Sequence, residues 1–97
     1  MDIQGMAEMP KYQSHKQVRA LKIASIEFDS DKATQENRET DGSAKITMED
    51  EGYAPFKVEA NYVHKHKPQA GGYYVVYKDG YRSWSPAEAF EDGYTRI

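Results

Sequence analysis

Alternation of apolar and polar residues is the clearest local signal in the first half of the chain. Between Val18 and Phe28 the apolar residues fall on alternate positions, but their parity changes near Ala20 to Ala24. This change predicts one long strand that carries a bulge or a bend. A helix is the alternative, because several of the same residues also fit a 3.6-residue period. The β-branched residues and the alternating end of the segment favour the strand.

Two shorter segments repeat the two-residue period. Apolar residues alternate over residues 43–48 and again over residues 56–60. An acidic turn from Glu49 to Gly52 separates them. We therefore expect two short strands that pair antiparallel.

The segment Tyr73–Trp84 reads as a β-hairpin around Asp79-Gly80. This dipeptide suits a two-residue type I′ turn, in which both residues take positive φ angles. Such a turn pairs Val75 with Trp84 and gives the hairpin two faces. The larger and more aromatic face, which we expect to point toward the core, comprises Tyr73, Val75, Tyr77, Arg82 and Trp84. The other face, which we expect to be less buried, comprises Tyr74, Val76, Lys78, Tyr81 and Ser83.

Two short helices and a last strand complete the expected elements. Asn61 can cap a helix over residues 61–67, which Pro68 ends. The run Ser85-Pro86-Ala87-Glu88 has the form of a capping box and predicts a helix over residues 86–92. Residues 94–97 are expected to add an edge strand.

Together the elements predict an α+β fold, mainly antiparallel β, with about five strands in a small curled sheet or SH3-like barrel and two short helices. We expect residues 1–10 to form a disordered N-terminal arm and residues 11–97 a single small β-rich domain. Residues 29–42 carry no large apolar side chain and are expected to form an exposed acidic loop. The predicted core comprises Val18, Ala20, Ile23, Ile26, Ile46, Met48, Phe56, Val58, Val63, Tyr73, Val75, Trp84, Ala87 and Phe90.

Composition and charge narrow the function classes. The chain has 97 residues, of which 38% are apolar, enough for one modest core. It has no cysteine, so disulfides and thiol catalysis are excluded. It has neither an apolar run of about 18 residues nor the pattern of a signal peptide, so we expect no membrane partner. The net charge of −3 argues against a dedicated nucleic-acid binder.

No residue pattern points to catalysis, to a cofactor or to a metal. His15, His64 and His66 lack the ordered spacing of a zinc site, and no cysteine is present to complete one. There is no nucleophile elbow and no glycine-rich phosphate loop, and Ser85 is better explained as a helix cap. We therefore expect a protein that is not an enzyme and needs no cofactor or metal.

Tyrosine is the unusual component of this chain. There are eight tyrosines, and aromatic residues make up 12% of the sequence. Tyrosine beside lysine and arginine is typical of protein-binding hot spots, and the hairpin supplies four candidates, Tyr74, Lys78, Tyr81 and Arg82. The alternative is that this face is covered by the C-terminal helix or by the strand over residues 18–28. Single-stranded nucleic acid is another alternative partner, because aromatic rings beside the basic runs at residues 11–22 and 64–67 can stack on bases.

Three segments give the chain a resemblance to a known family. Residues 11–16 read KYQSHK, residues 66–73 read HKPQAGGY, and residues 79–97 read DGYRSWSPAEAFEDGYTRI. Together they resemble a family of small proteins encoded by tailed bacteriophages and prophages, and the last segment is the specific one. Members of that family begin close to the first segment, so Met1, Met6 and Met9 are each candidate start positions.

The resemblance implies a phage protein and supplies no catalytic residue. With the composition, it favours a small non-catalytic protein that binds another protein, as a host-directed accessory or inhibitor protein. One alternative is a virion decoration or minor structural protein, and another is a module that binds single-stranded nucleic acid. The expected location is the host bacterial cytoplasm or the virion, and exposed edge strands leave a homo-oligomer open.

Overall fold

The structure is a computed structural model that describes residues 9–13 and 17–96. The predicted N-terminal arm lies outside these residues except for Met9 and Pro10. The elements are β1 (Lys11–Gln13), β2 (Gln17–Phe28), α1 (Asp29–Glu36), β3 (Ala44–Met48), β4 (Phe56–Val58), α2 (Ala60–His66), β5 (Tyr73–Val76), β6 (Arg82–Ser85), α3 (Ala87–Gly93) and β7 (Thr95–Arg96).

The long strand β2 organises the sheet. Its first half pairs with β1 and with β5, and its second half pairs with β3, all antiparallel. The register shifts between Ile23 and Ser25, so the predicted bulge is confirmed where β2 passes from one set of partners to the next. A strand, and not the alternative helix, occupies this segment.

The remaining strands extend the sheet on both sides of β2. The order is β4-β3-β2-β1-β7, with β5 on β2 and β6 on β5. The predicted α+β fold with mainly antiparallel strands is confirmed. No pairing among the described strands closes the sheet, so it is an open sheet and not an SH3-like barrel. It has seven described strands where the sequence predicts about five.

Two apolar clusters lie on opposite faces of the β5 region. We call them the main core and the second core. The buried residues of the main core are Met9, Leu21, Ile23, Ala44, Ile46, Met48, Val58, Tyr62, Tyr74 and Val76. Those of the second core are Val18, Ala20, Tyr73, Val75 and Phe90. All four residues of β5 are buried because the strand contributes alternate side chains to each cluster.

Most residues of the predicted core are buried, but the prediction leaves out several residues of the observed core. Of its members, Ile26, Phe56, Val63, Trp84 and Ala87 are half-buried, and the others are buried. Met9 is 2% exposed, and its carbonyl accepts a hydrogen bond from the Arg19 guanidinium at 3.2 Å. The end of the predicted arm is therefore part of the main core.

Two local predictions are wrong. The segment expected to be an acidic loop, residues 29–42, begins with helix α1, whose buried residue is Ala33. The expected Ser85 capping box does not form: Pro86 occupies the cap position of α3, and the Ser85 hydroxyl donates to the Pro86 carbonyl at 3.2 Å. The helix expected over residues 61–67 is present as α2. The edge strand expected over residues 94–97 is present as β7, and Ile97 lies outside the described residues.

Candidate functional site

The β5–β6 hairpin closes with a three-residue loop rather than the predicted two-residue turn. The Tyr77 amide donates to the Tyr81 carbonyl at 2.8 Å, and the Gly80 amide donates to the Tyr77 carbonyl at 2.8 Å. Gly80 has φ +92°, which suits the left-handed residue of a three-residue hairpin loop. The carboxylate of Asp79 accepts a hydrogen bond from the Tyr81 amide at 3.0 Å and fixes the tip.

The loop length changes the register of the hairpin by one residue. Val76 pairs with Arg82, and Tyr74 pairs with Trp84. A slip of one residue exchanges the two faces of a strand. The predicted assignment of Trp84 and Tyr74 to opposite faces is therefore wrong, and both belong to the main core side.

Tyr74, expected on the less buried face, is a core residue. Its side chain is 1% exposed, and its ring lies 5.0 Å from Phe56 and 5.7 Å from Tyr62 between centroids. Burial raises the pKa of the Tyr74 hydroxyl, and a hydrogen bond with Arg82 acts in the opposite direction. Tyr74 therefore packs inside the main core and is not accessible to a partner.

Tyr81 lies at the tip and is 44% exposed. Its ring lies 5.9 Å from that of Tyr77, in a stacked arrangement, and 5.9 Å from the His66 imidazole. The Lys65 ammonium lies 5.0 Å from the centre of the Tyr81 ring, within the range of a cation–π contact. Helix α2 thus meets the tip of the hairpin at this tyrosine.

We call this surface the Tyr81 patch and define it by its six residues. They are Lys65, His66, Tyr77, Lys78, Tyr81 and Arg82. The patch joins three of the four predicted binding residues to two from α2. The sequence places Lys65 and His66 in the basic run over residues 64–67, but it does not place that run beside Tyr81. The contact with Tyr81 arises from the packing of α2 against the hairpin.

Two buried contacts hold α2 on the hairpin. The Tyr62 hydroxyl donates to the Ser83 carbonyl at 2.6 Å, and burial raises the pKa of that hydroxyl well above its usual range. The Arg82 guanidinium lies 5.8 Å from the Tyr62 ring centre. These contacts cover β6 with a helix, as soluble proteins commonly do for an exposed strand edge.

The charge of the patch comes from lysine and arginine. Desolvation, together with the nearby Lys65 ammonium, lowers the pKa of His66 and favours the neutral imidazole. The four ion pairs found among residues 9–13 and 17–96 lie elsewhere; they are Lys22–Glu91, Arg38–Asp29, Arg38–Glu36 and Lys57–Asp41. The patch therefore presents cationic groups beside an exposed aromatic ring, with Asp79 as the acid at the tip.

Helix α1 and the loop after it form a separate acidic surface. Asp29 accepts hydrogen bonds from the Arg38 guanidinium at 2.9 and 3.2 Å and from the Thr40 hydroxyl at 2.8 Å. The bond from Arg38 is the main cause that holds the pKa of the Asp29 carboxyl well below its usual range. This carboxylate orders the loop after α1 and is occupied by those internal partners.

The described part of the chain offers no other chemical centre. It contains no group of three or more His, Cys, Asp or Glu side chains placed to hold a metal ion. None of its helices is long and apolar enough to span a membrane.

Comparison with known proteins gives one structural likeness. No protein-family model and no curated protein matches the chain. The structure is similar to the monomeric form of the phage L decoration protein, determined by NMR in solution, with a TM-score of 0.63 and 30% sequence identity. The similarity covers 91% of this chain and 59% of that one.

The chain is similar to a phage decoration protein. The predicted link to bacteriophage is consistent with this likeness. The membership of the phage family inferred from the C-terminal segment, residues 79–97, stays a prediction. The chain spans 59% of the length of the decoration protein, which has further sequence outside the shared fold. The likeness supports a virion role better than the host-directed role that the sequence favoured.

Proposed function

We propose that the protein is a virion decoration protein, one that attaches to the surface of an assembled phage particle. The observation that carries this proposal is the likeness to the phage L decoration protein over 91% of the chain at 30% identity. Sequence identity at this level together with a shared fold is stronger support than the fold alone, since one fold serves many functions.

The described residues suit a role in binding rather than in catalysis. The Tyr81 patch offers an exposed tyrosine ring beside cations, and tyrosine and arginine are both enriched in protein-binding surfaces. The carboxylate of Asp29, whose pKa is strongly lowered, is already engaged by hydrogen bonds from Arg38 and Thr40. We therefore propose that the protein acts by attachment and carries out no reaction.

Quantitative mass spectrometry of purified virions tests this proposal. Particles of the encoding phage are banded on a density gradient, and the ratio of this protein to the major coat protein is compared with that in infected-cell lysate. We expect a fixed ratio in particles that persists through a second gradient. A non-structural protein of the same phage, measured in the same samples, reports contamination.

Rebinding makes the test independent of expression level. Particles from a phage that lacks the gene are mixed with purified protein and sedimented, and the pellet should contain the protein up to a saturating ratio. A protein that is abundant in lysate, absent from particles and unable to rebind contradicts the proposal and favours a host-directed role.

A further inference from the structure

We propose that the Tyr81 patch is the surface that contacts the virion, and that it binds an acidic region of a virion protein. This inference rests on the proposed decoration function and adds which side of the protein faces the particle.

Exposure distinguishes Tyr81 from the other large apolar side chains. Among the residues that the structure describes, Tyr81 is the large apolar residue that is exposed to solvent, at 44%. The remaining tyrosines of the described residues are buried or half-buried. An exposed tyrosine supplies a large contact area to a partner with only two side-chain torsions to order.

The support beneath the patch reduces the ordering cost of binding. Tyr81 is held by backbone bonds from the tip, by stacking with Tyr77 and by the His66 contact on the α2 side. The tip continues directly into β5, whose four residues are all buried. A contact residue that is already ordered in the free protein loses less entropy when a partner binds.

The charge of the patch selects the partner. The Lys65 ammonium lies over the Tyr81 ring, Lys78 belongs to the same loop, and Arg82 follows Tyr81 in the chain. The described ion pairs involve none of these three cations. A groove of about 90 Å³ that includes Tyr77 and Lys78 extends the basic surface to Lys11 and Arg19. The chain as a whole carries a charge of −3, so this cationic region lies on an acidic protein.

A protein surface fits this arrangement better than a nucleic acid does. A long polyanion covers more of the protein than the patch and would be repelled by the net negative charge of the chain. A local acidic region that meets a single tyrosine and a few cations avoids that repulsion. Electrostatic complementarity of this kind gives orientation and a salt-sensitive association rate.

The test compares charge reversals at two places on the protein. One variant carries Lys65→Glu and Lys78→Glu in the patch, and the matched control carries Lys32→Glu and Lys45→Glu on α1 and β3. All four lysines are exposed, and both variants change the net charge by the same amount. A third variant, Tyr81→Ser, removes the ring alone.

Affinity for particles that lack the protein is measured by co-sedimentation at 50 and at 300 mM salt. We expect both patch variants to bind at least tenfold more weakly at 50 mM, and the control to bind within about threefold of the wild type. The wild-type affinity should fall between the two salt concentrations, and that of the double patch variant should change less. Thermal unfolding by circular dichroism confirms that each variant is folded; if Tyr81→Ser is not, the double lysine variant decides.

The outcomes separate this inference from the proposed function. If the wild type rebinds and the patch variants rebind equally well, the patch assignment is overturned and the decoration function stands. If the wild type neither rebinds nor occurs in particles, both fail. A mobility shift of a single-stranded oligonucleotide at 50 mM salt, lost in the double patch variant, would assign the patch to nucleic acid and overturn the acidic protein partner.

Discussion

Replacing Gly72 by alanine should destabilise the fold strongly, because a methyl group there has no room. Gly72 lies just before β5, and its carbonyl accepts a hydrogen bond from the Ile23 amide at 2.8 Å. A Cβ atom built on Gly72 would lie 2.4 Å from both Cζ2 and Nε1 of Trp84. The indole is held in place because its Nε1 donates to the Gln69 carbonyl at 3.2 Å. Neither the backbone nor the ring can move without the loss of a hydrogen bond.

The cost follows from the size of the overlap. Ordinary contacts of a Cβ atom lie at 3.4–4 Å, so the indole must shift by about 1 Å. Overpacking of this kind costs about 1–3 kcal/mol, and a lost hydrogen bond adds about 0.5–1.5 kcal/mol. We therefore expect the free energy of unfolding to fall by about 2–4 kcal/mol, out of about 5–15 kcal/mol for a small domain. The melting temperature should fall by roughly 10–25 °C.

Urea and thermal unfolding of the variant, followed by circular dichroism, measure this loss. Trp84 is the single tryptophan, so its fluorescence reports a displaced ring directly. Gly93→Ala is the matched control: nothing lies within 4 Å of its added methyl and its φ is not left-handed, so it should be neutral or stabilise α3 by up to about 1 kcal/mol. A second variant, Trp84→Phe combined with Gly72→Ala, should recover part of the loss. The reasoning is refuted if Gly72→Ala stays within about 0.5 kcal/mol of the wild type.

Three further changes test other parts of the fold. Phe90→Ala removes the buried anchor of α3, which contacts three tyrosine rings, and should lower the free energy of unfolding in urea by about 3–5 kcal/mol, whereas Phe90→Leu should cost less than about 1.5 kcal/mol. Tyr62→Phe removes the bond to Ser83 and should cost about 0.5–1.5 kcal/mol in the same assay; no loss would show that the bond is not formed in solution. Asp29 has a lowered pKa in the folded state, so its stabilising effect is present above the unfolded-state pKa and is lost as the pH falls. The melting temperature of the wild type should therefore exceed that of Asp29→Asn at pH 6, and the gap should narrow toward pH 2; a constant gap would contradict the role given to Arg38.

The strands β2, β3 and β4 could be predicted because apolar and polar side chains alternate along them. The sequence pattern does not predict β1, since its three residues are too few to show a period. In β2 the parity change near Ala20 to Ala24 indicates a bulge, since every side chain after an extra residue must change face. The short strands β3 and β4 follow from the same period. Local alternation therefore determines much of the sheet.

Helix α1 could not be predicted from apolar periodicity. It buries a single small residue, Ala33, so no stripe of large side chains marks a face. The usable signals are weaker: Asp29 and Asp31 lie in the first turn, where the helix dipole favours acids, and Asn37 takes the left-handed conformation at the end. These cues are outweighed in the prediction because an acidic segment without large apolar residues is also typical of an exposed loop.

The hairpin register depends on contacts far from the turn. Asp79-Gly80 is compatible with a two-residue turn and with a three-residue loop, because both need a positive φ at the glycine. The pairing of β5 with β2 and the packing of Trp84 select the longer loop. Composition suggests a tyrosine and cation surface, but only the tertiary register determines that Tyr81 is exposed and Tyr74 is buried.

The two cores explain why the exposed tyrosine is at this tip. Because β5 has a core on each face, its side chains are all used in packing and none is left for a partner. The strand can present contact residues only beyond its end, where the loop extends past both cores. There the backbone is fixed by Gly80 and Asp79, and α2 reaches the same place through Tyr62 and His66. The burial that stabilises the hairpin thus leaves Tyr81 at its tip as the exposed large aromatic side chain among the described residues.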